Sequence, residues 1–78
     1  MFIEVNDYGR GKIRSINIFH ITDFYPNDTD ENHTNICINN QKFCCEPIED
    51  YSNVSHKINQ AKEEFYQALE AKRKLPFL

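Results

Sequence analysis

The order of apolar and polar positions divides this chain into a β-rich first half and a helical second half. Phe2-Ile3-Glu4-Val5-Asn6 alternates in the period of a strand. Asp7-Tyr8-Gly9-Arg10-Gly11 holds both glycines of the chain and reads as a turn. From Ile13 to Phe24 a β-branched run places Ile16, Ile18 and His20 on one strand face and Ser15, Asn17 and Phe19 on the other, with a bend expected near His20. A polar, acidic stretch from Tyr25 to His33 should form an exposed loop. Thr34-Asn35-Ile36-Cys37-Ile38 and Lys42-Phe43-Cys44-Cys45 then flank Asn39-Asn40-Gln41, a hairpin pattern in which Asn tolerates the positive φ of a tight turn.

The second half carries a different period. Val54, Ile58, Ala61, Phe65 and Leu69, flanked by Tyr51 and Ala68, recur at helical spacing, while Lys57, Gln60, Glu63, Glu64, Gln67 and Glu70 fall elsewhere. Pro47 suits a first helical position, Glu46, Glu49 and Asp50 suit the positive end of the dipole, and Ser52 or Asn53 is an alternative cap. Pro76 closes the helix after Lys72-Arg73-Lys74. The expectation is one α+β domain over residues 1–78: a small antiparallel sheet of three to four strands in 1–46, with an acidic loop at 25–33, a long amphipathic helix at 47–75 and a tail at 76–78.

Length adds a geometric consequence. A helix over 48–74 would run roughly 40 Å, whereas strands of six to eight residues span about 20–26 Å. The helix should outrun its sheet and leave Phe65, Tyr66, Leu69, Leu75 and Phe77 free to meet solvent or another chain.

Composition narrows the function classes. With 40% hydrophobic and 13% aromatic residues the chain should fold, and at 78 residues it has apolar material for one core only. A net charge of −3 disfavours direct binding of nucleic acid. The start Met1-Phe2-Ile3-Glu4 lacks the basic and apolar regions of a signal peptide, and no stretch reaches the roughly 20 apolar residues of a membrane span. Cytoplasm is expected, the host's if the gene is a phage's. On that ground the Asn-x-Ser/Thr triplets at Asn27, Asn32 and Asn53 are read as chance matches among nine asparagines.

Candidate chemistry changes this picture little. Cys37, Cys44 and Cys45 with His20, His33 and His56 lack the paired spacing of structural zinc, and adjacent Cys44 and Cys45 on a strand would face opposite ways. Cys37 opposite Cys44 could form a cross-strand disulfide, which a cytosol would keep reduced. The acids Asp28, Asp30 and Glu31 lack the mid-loop Gly and closing Glu of an EF-hand, and Gly9 and Gly11 precede a strand, which is no phosphate loop. No cofactor, metal or catalytic residue is assigned, and the expectation is a protein that is not an enzyme.

Met1-Phe2-Ile3-Glu4-Val5, the run Ile16-Asn17-Ile18-Phe19-His20-Ile21, the Asn39-Asn40 hairpin and the segment Glu46 to Ile58 together resemble the FlbD-like proteins of flagellar operons. That resemblance implies a fold more than a reaction, and this chain differs in its longer acidic loop and extended helix. Its shortness, acidic balance and Asn/Ile/Lys-rich composition also look like small proteins of phages and mobile elements, anti-CRISPR proteins among them, which occupy a host protein's surface. The leading expectation is a protein-interaction module that presents Asp23, Asp28, Asp30 and Glu31 to a basic, nucleic-acid-binding surface. Phe65, Tyr66, Leu69 and Phe77 form a second expected contact. Alternatives are a homodimer in an operon-specific assembly and a Cys-based metal or redox regulator.

Overall fold

The computed structural model describes residues 1–9, 11–39 and 45–73. It is α+β, with strands β1 (Phe2–Asp7), β2 (Lys12–Asn17), β3 (Ile21–Pro26) and β4 (Thr34–Ile38) followed by helix α1 (Tyr51–Arg73). The expected single sheet is instead two antiparallel two-stranded sheets, β1–β2 and β3–β4. The division falls where a strand bend was expected. Asn17 Oδ1 accepts from the Phe19 backbone N–H at 3.0 Å and Ile21 N–H closes back on Ile18, so that Ile18–His20 forms a 3-10 turn. A local side-chain bond has replaced the ladder at this point, and Ile18 is buried while His20 is exposed.

Segment 45–48 joins the two sheets. Cys45 exchanges backbone bonds with Ile36 at 2.8 and 3.2 Å, and Pro47 O accepts from Thr34 N–H at 3.2 Å. On the other side Glu46 O accepts from Tyr8 N–H and Ile48 N–H donates to Asn6 O, at 2.9 and 2.8 Å. Pro47 has no N–H to give, which holds this contact to isolated bridges at Asp7–Pro47 and Ile36–Cys45.

Pro47 is therefore not the first residue of the helix. It is almost wholly buried, and α1 begins four residues later. Asp50 is the cap: its carboxylate accepts from Asn53 N–H at 2.8 Å and its carbonyl from Val54 N–H at 3.1 Å. In the first hairpin Gly11 holds φ +64°, a conformation that costs glycine little, and its N–H reaches Asp7 O at 2.8 Å. Asn39 has φ 52°, in keeping with the hairpin signal at Asn39-Asn40, while Asn40 to Cys44 lie outside the described residues.

The core joins both sheets to the first half of α1. Ile3, Val5, Ile16, Ile18, Ile36 and Cys45 pack with Val54, Ile58 and Ala61, and Ile21, Phe24 and Ile38 close the rim. Tyr51 stacks on Phe24 with ring centroids 5.3 Å apart. At 1.5 Å per residue the 23-residue helix runs about 35 Å, against roughly 20 Å for the six residues of β1. About ten residues overhang, and the molecule is drawn out to 57 × 22 × 20 Å.

Candidate interaction surfaces

The residues singled out in the sequence occupy two separate surfaces. The acidic loop follows β3, close to the first hairpin turn and the N-terminus of α1, as Tyr8 packs on His33 and Thr34 Oγ1 donates to Glu49 O. The aromatic group lies at the opposite end of the domain. Phe65 meets Phe19 edge-on at 5.1 Å, and it stands 14 residues, about 21 Å, beyond the start of α1. Phe77 lies outside the described residues.

The loop is built by its own side chains. Asn27 Oδ1 accepts from Thr29 N–H, Thr29 Oγ1 and Asp30 N–H at 2.9, 2.7 and 3.0 Å, and Asn27 Nδ2 donates to Asn35 Oδ1 at 2.9 Å. Asp30 Oδ1 accepts from Asn32 N–H at 2.9 Å. Backbone bonds from Asn27 N–H to His33 O and from His33 N–H to Asp30 O close the turn. Asp28 and Glu31 are exposed. Neither carboxylate has a hydrogen bond or ion pair among the described residues.

Asp30 has a different role from its two acidic neighbours. Its Oδ2 lies 3.4 Å from His33 Nε2, while His33 Nδ1 lies 2.6 Å from Glu46 Oε2. The tilted Tyr8 ring covers the imidazole with centroids 5.1 Å apart. Asp23 is exposed on β3, opposite Cys37, and sits four residues before Asn27, roughly 13 Å at 3.3 Å per residue. The loop thus offers Asp28 and Glu31 outward, uses Asp30 to hold itself, and leaves Asp23 apart.

Sequence reading missed His33 and Glu46 as organisers of this loop. The spacing of Asn27 with Thr29 and of Asp30 with Asn32 is that of Asx turns and was available as a signal. His33 and Glu46 stand 13 residues apart in sequence, and their pairing had no local signal.

At the far end Phe65 is half-buried, whereas Phe19, Tyr66 and Leu69 are 56%, 60% and 38% exposed. Tyr66 contacts Phe65 at 5.7 Å. Nothing else from the described residues covers this face, because the last buried helix position is Ala61.

The cysteines sit elsewhere. Cys37 and Cys45 are buried, and Cys44 lies outside the described residues. Burial pushes the Cys45 thiol from 9.0 up to about 11, helped by the negative charge of Asp7, with Arg14 opposing. A nucleophilic thiol needs the opposite shift. Among the described residues no group of three His, Cys, Asp or Glu side chains converges on a metal-sized site. No described helix is long and apolar enough to cross a membrane.

No protein-family model, curated protein or solved structure matches this chain.

Proposed function

We propose that this protein is a non-enzymatic interaction module that presents Asp28 and Glu31 to a basic, nucleic-acid-binding surface of another protein, in the manner of small phage-type inhibitors such as anti-CRISPR proteins. The observation that carries this reading is the construction of the acidic loop: two exposed carboxylates with no partner among the described residues stand on a turn fixed by six hydrogen bonds within the loop, four involving side chains and two purely backbone, and by a seventh from Asn27 to Asn35 of β4. A loop ordered before binding loses less conformational freedom on contact. Unpaired surface acids on a chain of net charge −3 would steer encounter with a cationic groove.

Capture from a host extract with the wild-type chain and with a D28K/E31K double variant tests it. The expected partner is retained by the wild type, released by nucleic acid or by salt, and lost from the variant. A partner held equally by both baits at low salt would remove the loop from the account. Neither change touches a core residue, so the variant should keep its fold.

The exposed Phe19, Tyr66 and Leu69 support a second reading, a homodimer formed through the overhanging helix end, as in an operon-specific, flagellar-type assembly.

A further inference from the structure

We propose that the outer edge of β2 is a docking site for an extended strand of another protein, one that carries acids opposite Lys12 and Arg14 and apolar residues opposite Ile13 and Ile16. Ile18 N–H bonds to Met1 O at 2.9 Å, and the register runs from Phe2 opposite Asn17 to Asp7 opposite Lys12. In an antiparallel ladder, bonded pairs alternate with unbonded ones. Ile16, Arg14 and Lys12 therefore turn their backbone groups to β1, and Ile13, Ser15 and Asn17 turn theirs away from it. The same count applied to β1 points Asn6 and Tyr8 away from β2, and these are the residues that bond segment 45–48, through Asn6 O and Tyr8 N–H. β1 is thus covered on both sides. On β2 no backbone bond from another described residue reaches the outward groups of Ile13, Ser15 and Asn17.

Such an edge is a template for an added strand unless something blunts it. β3 is blunted: a register shift lies between Ile21 and Asp23, and the strand ends on Pro26. β2 holds its register over six residues with neither bulge nor proline. Its outward N–H and C=O groups recur about every 6.8 Å, the repeat of a partner strand. Apolar surface lies beside them. Ile13, at 67%, is the most exposed large apolar side chain among the described residues, and a recess of about 270 Å³ lined by Ile16, His20 and Ile38 opens next to Ser15 and Asn17.

Charge selects among the strands that fit. β2 carries Lys12 and Arg14 and no acid. Arg14 pairs with Asp7 at 3.6 Å, and Lys12 is exposed with no ion pair among the described residues. Opposite charges across a strand pair attract and like charges repel. A second copy would bring the cations of two β2 strands into one ladder, whereas a strand with acids at these positions would pair with them. Its apolar residues would face Ile16 beside the recess and Ile13 on the outer face. Backbone bonds supply affinity in this mode, and side chains at alternate positions supply the choice of partner. The edge uses no residue of the acidic loop, so it stands or falls separately from the function proposed above.

NMR titration of the full chain with the end-blocked peptide Thr-Val-Thr-Glu-Val-Glu, which in antiparallel register sets its two Glu against Arg14 and Lys12, is the test. The amides of Ile13, Ser15 and Asn17 should shift along one binding curve and exchange more slowly in the complex. The peptide Thr-Val-Thr-Lys-Val-Lys should bind at least about fivefold more weakly, from two reversed cross-strand charge pairs. Ser15→Pro removes one outward N–H, a loss that an edge strand tolerates, and should abolish binding while the β1 amides stay in place. Should that variant not fold, a chain synthesised with N-methylserine at position 15 removes the same N–H and is held to the same result. β2 amides that stay still at the highest soluble peptide concentration would overturn the proposal, as would equal affinity for the two peptides or binding that survives loss of the Ser15 N–H. The same shifts in the chain alone, on raising its concentration, would also overturn it and assign the edge to a second copy.

Discussion

At Cys45 burial and a neighbouring charge act in the same direction. The residue is 1% exposed and within the influence of Asp7, and its thiol is raised to about 11. The folded state holds this proton more tightly than the unfolded chain, so its contribution to stability is fully present below the unfolded value and is lost as pH rises through the folded one. Stability should therefore fall between about pH 9 and 11 by more in the wild type than in Cys45→Ala, measured by urea unfolding across that window. Equal slopes in the two proteins would show that other groups carry the alkaline loss. The sequence showed only that Cys44 and Cys45 would face opposite ways on a strand, without saying which is buried, and it gave no sign of Asp7, because an acid in a turn reads as exposed. Asp7 is 3% exposed: it accepts locally from Gly9 N–H, and it accepts from Glu46 N–H and pairs with Arg14, two partners that only the folded chain brings together.

Among the elements, α1 was the most legible. The stripe of Val54, Ile58 and Ala61 is the buried face, at 0%, 2% and 8% exposure, and the stripe loses its cover after Phe65 as the length comparison requires. Its start was less legible. Pro47 fits a first helical turn by propensity, but pairing of 45–48 with β1 and β4 satisfied more backbone groups than one further helical turn would have. The sheet was misread for a related reason: periodicity cannot show that Asn17 bonds locally and turns the chain out of its ladder. The two halves of the helix should differ sharply in energetic weight. Ile58→Ala should cost about 2–5 kcal/mol, a large share of the roughly 4–12 kcal/mol expected for a chain of this length. Leu69→Ala should stay within about 0.5 kcal/mol. Urea unfolding of both variants measures the contrast, and a large loss at Leu69 would mean that the overhang is covered.

For the whole molecule, the separation of the acidic loop from the aromatic end bears on assembly. The candidate acids and aromatics were legible as residue types, but their division between two ends was not, since it depends on how β1 and α1 run past each other. A homodimer through the overhang must be two-fold, so each helix end meets itself reversed. An axis between Gln67 and Ala68 would place Tyr66 of one copy against Leu69 of the other, and Glu63 against Lys72, pairing apolar with apolar and acid with base. The contact would exclude the acidic loop, about 21 Å or more away along the helix. Leu69→Glu would set an acid against Tyr66 while removing little from the monomer's own packing. In sedimentation over a range of micromolar concentrations, the wild type should shift from monomer to dimer and L69E should remain monomeric with unchanged urea stability. A wild type that stays monomeric throughout disposes of the self-association reading and leaves the helix end to a different partner, while a dimer unaffected by L69E places the contact elsewhere on the chain.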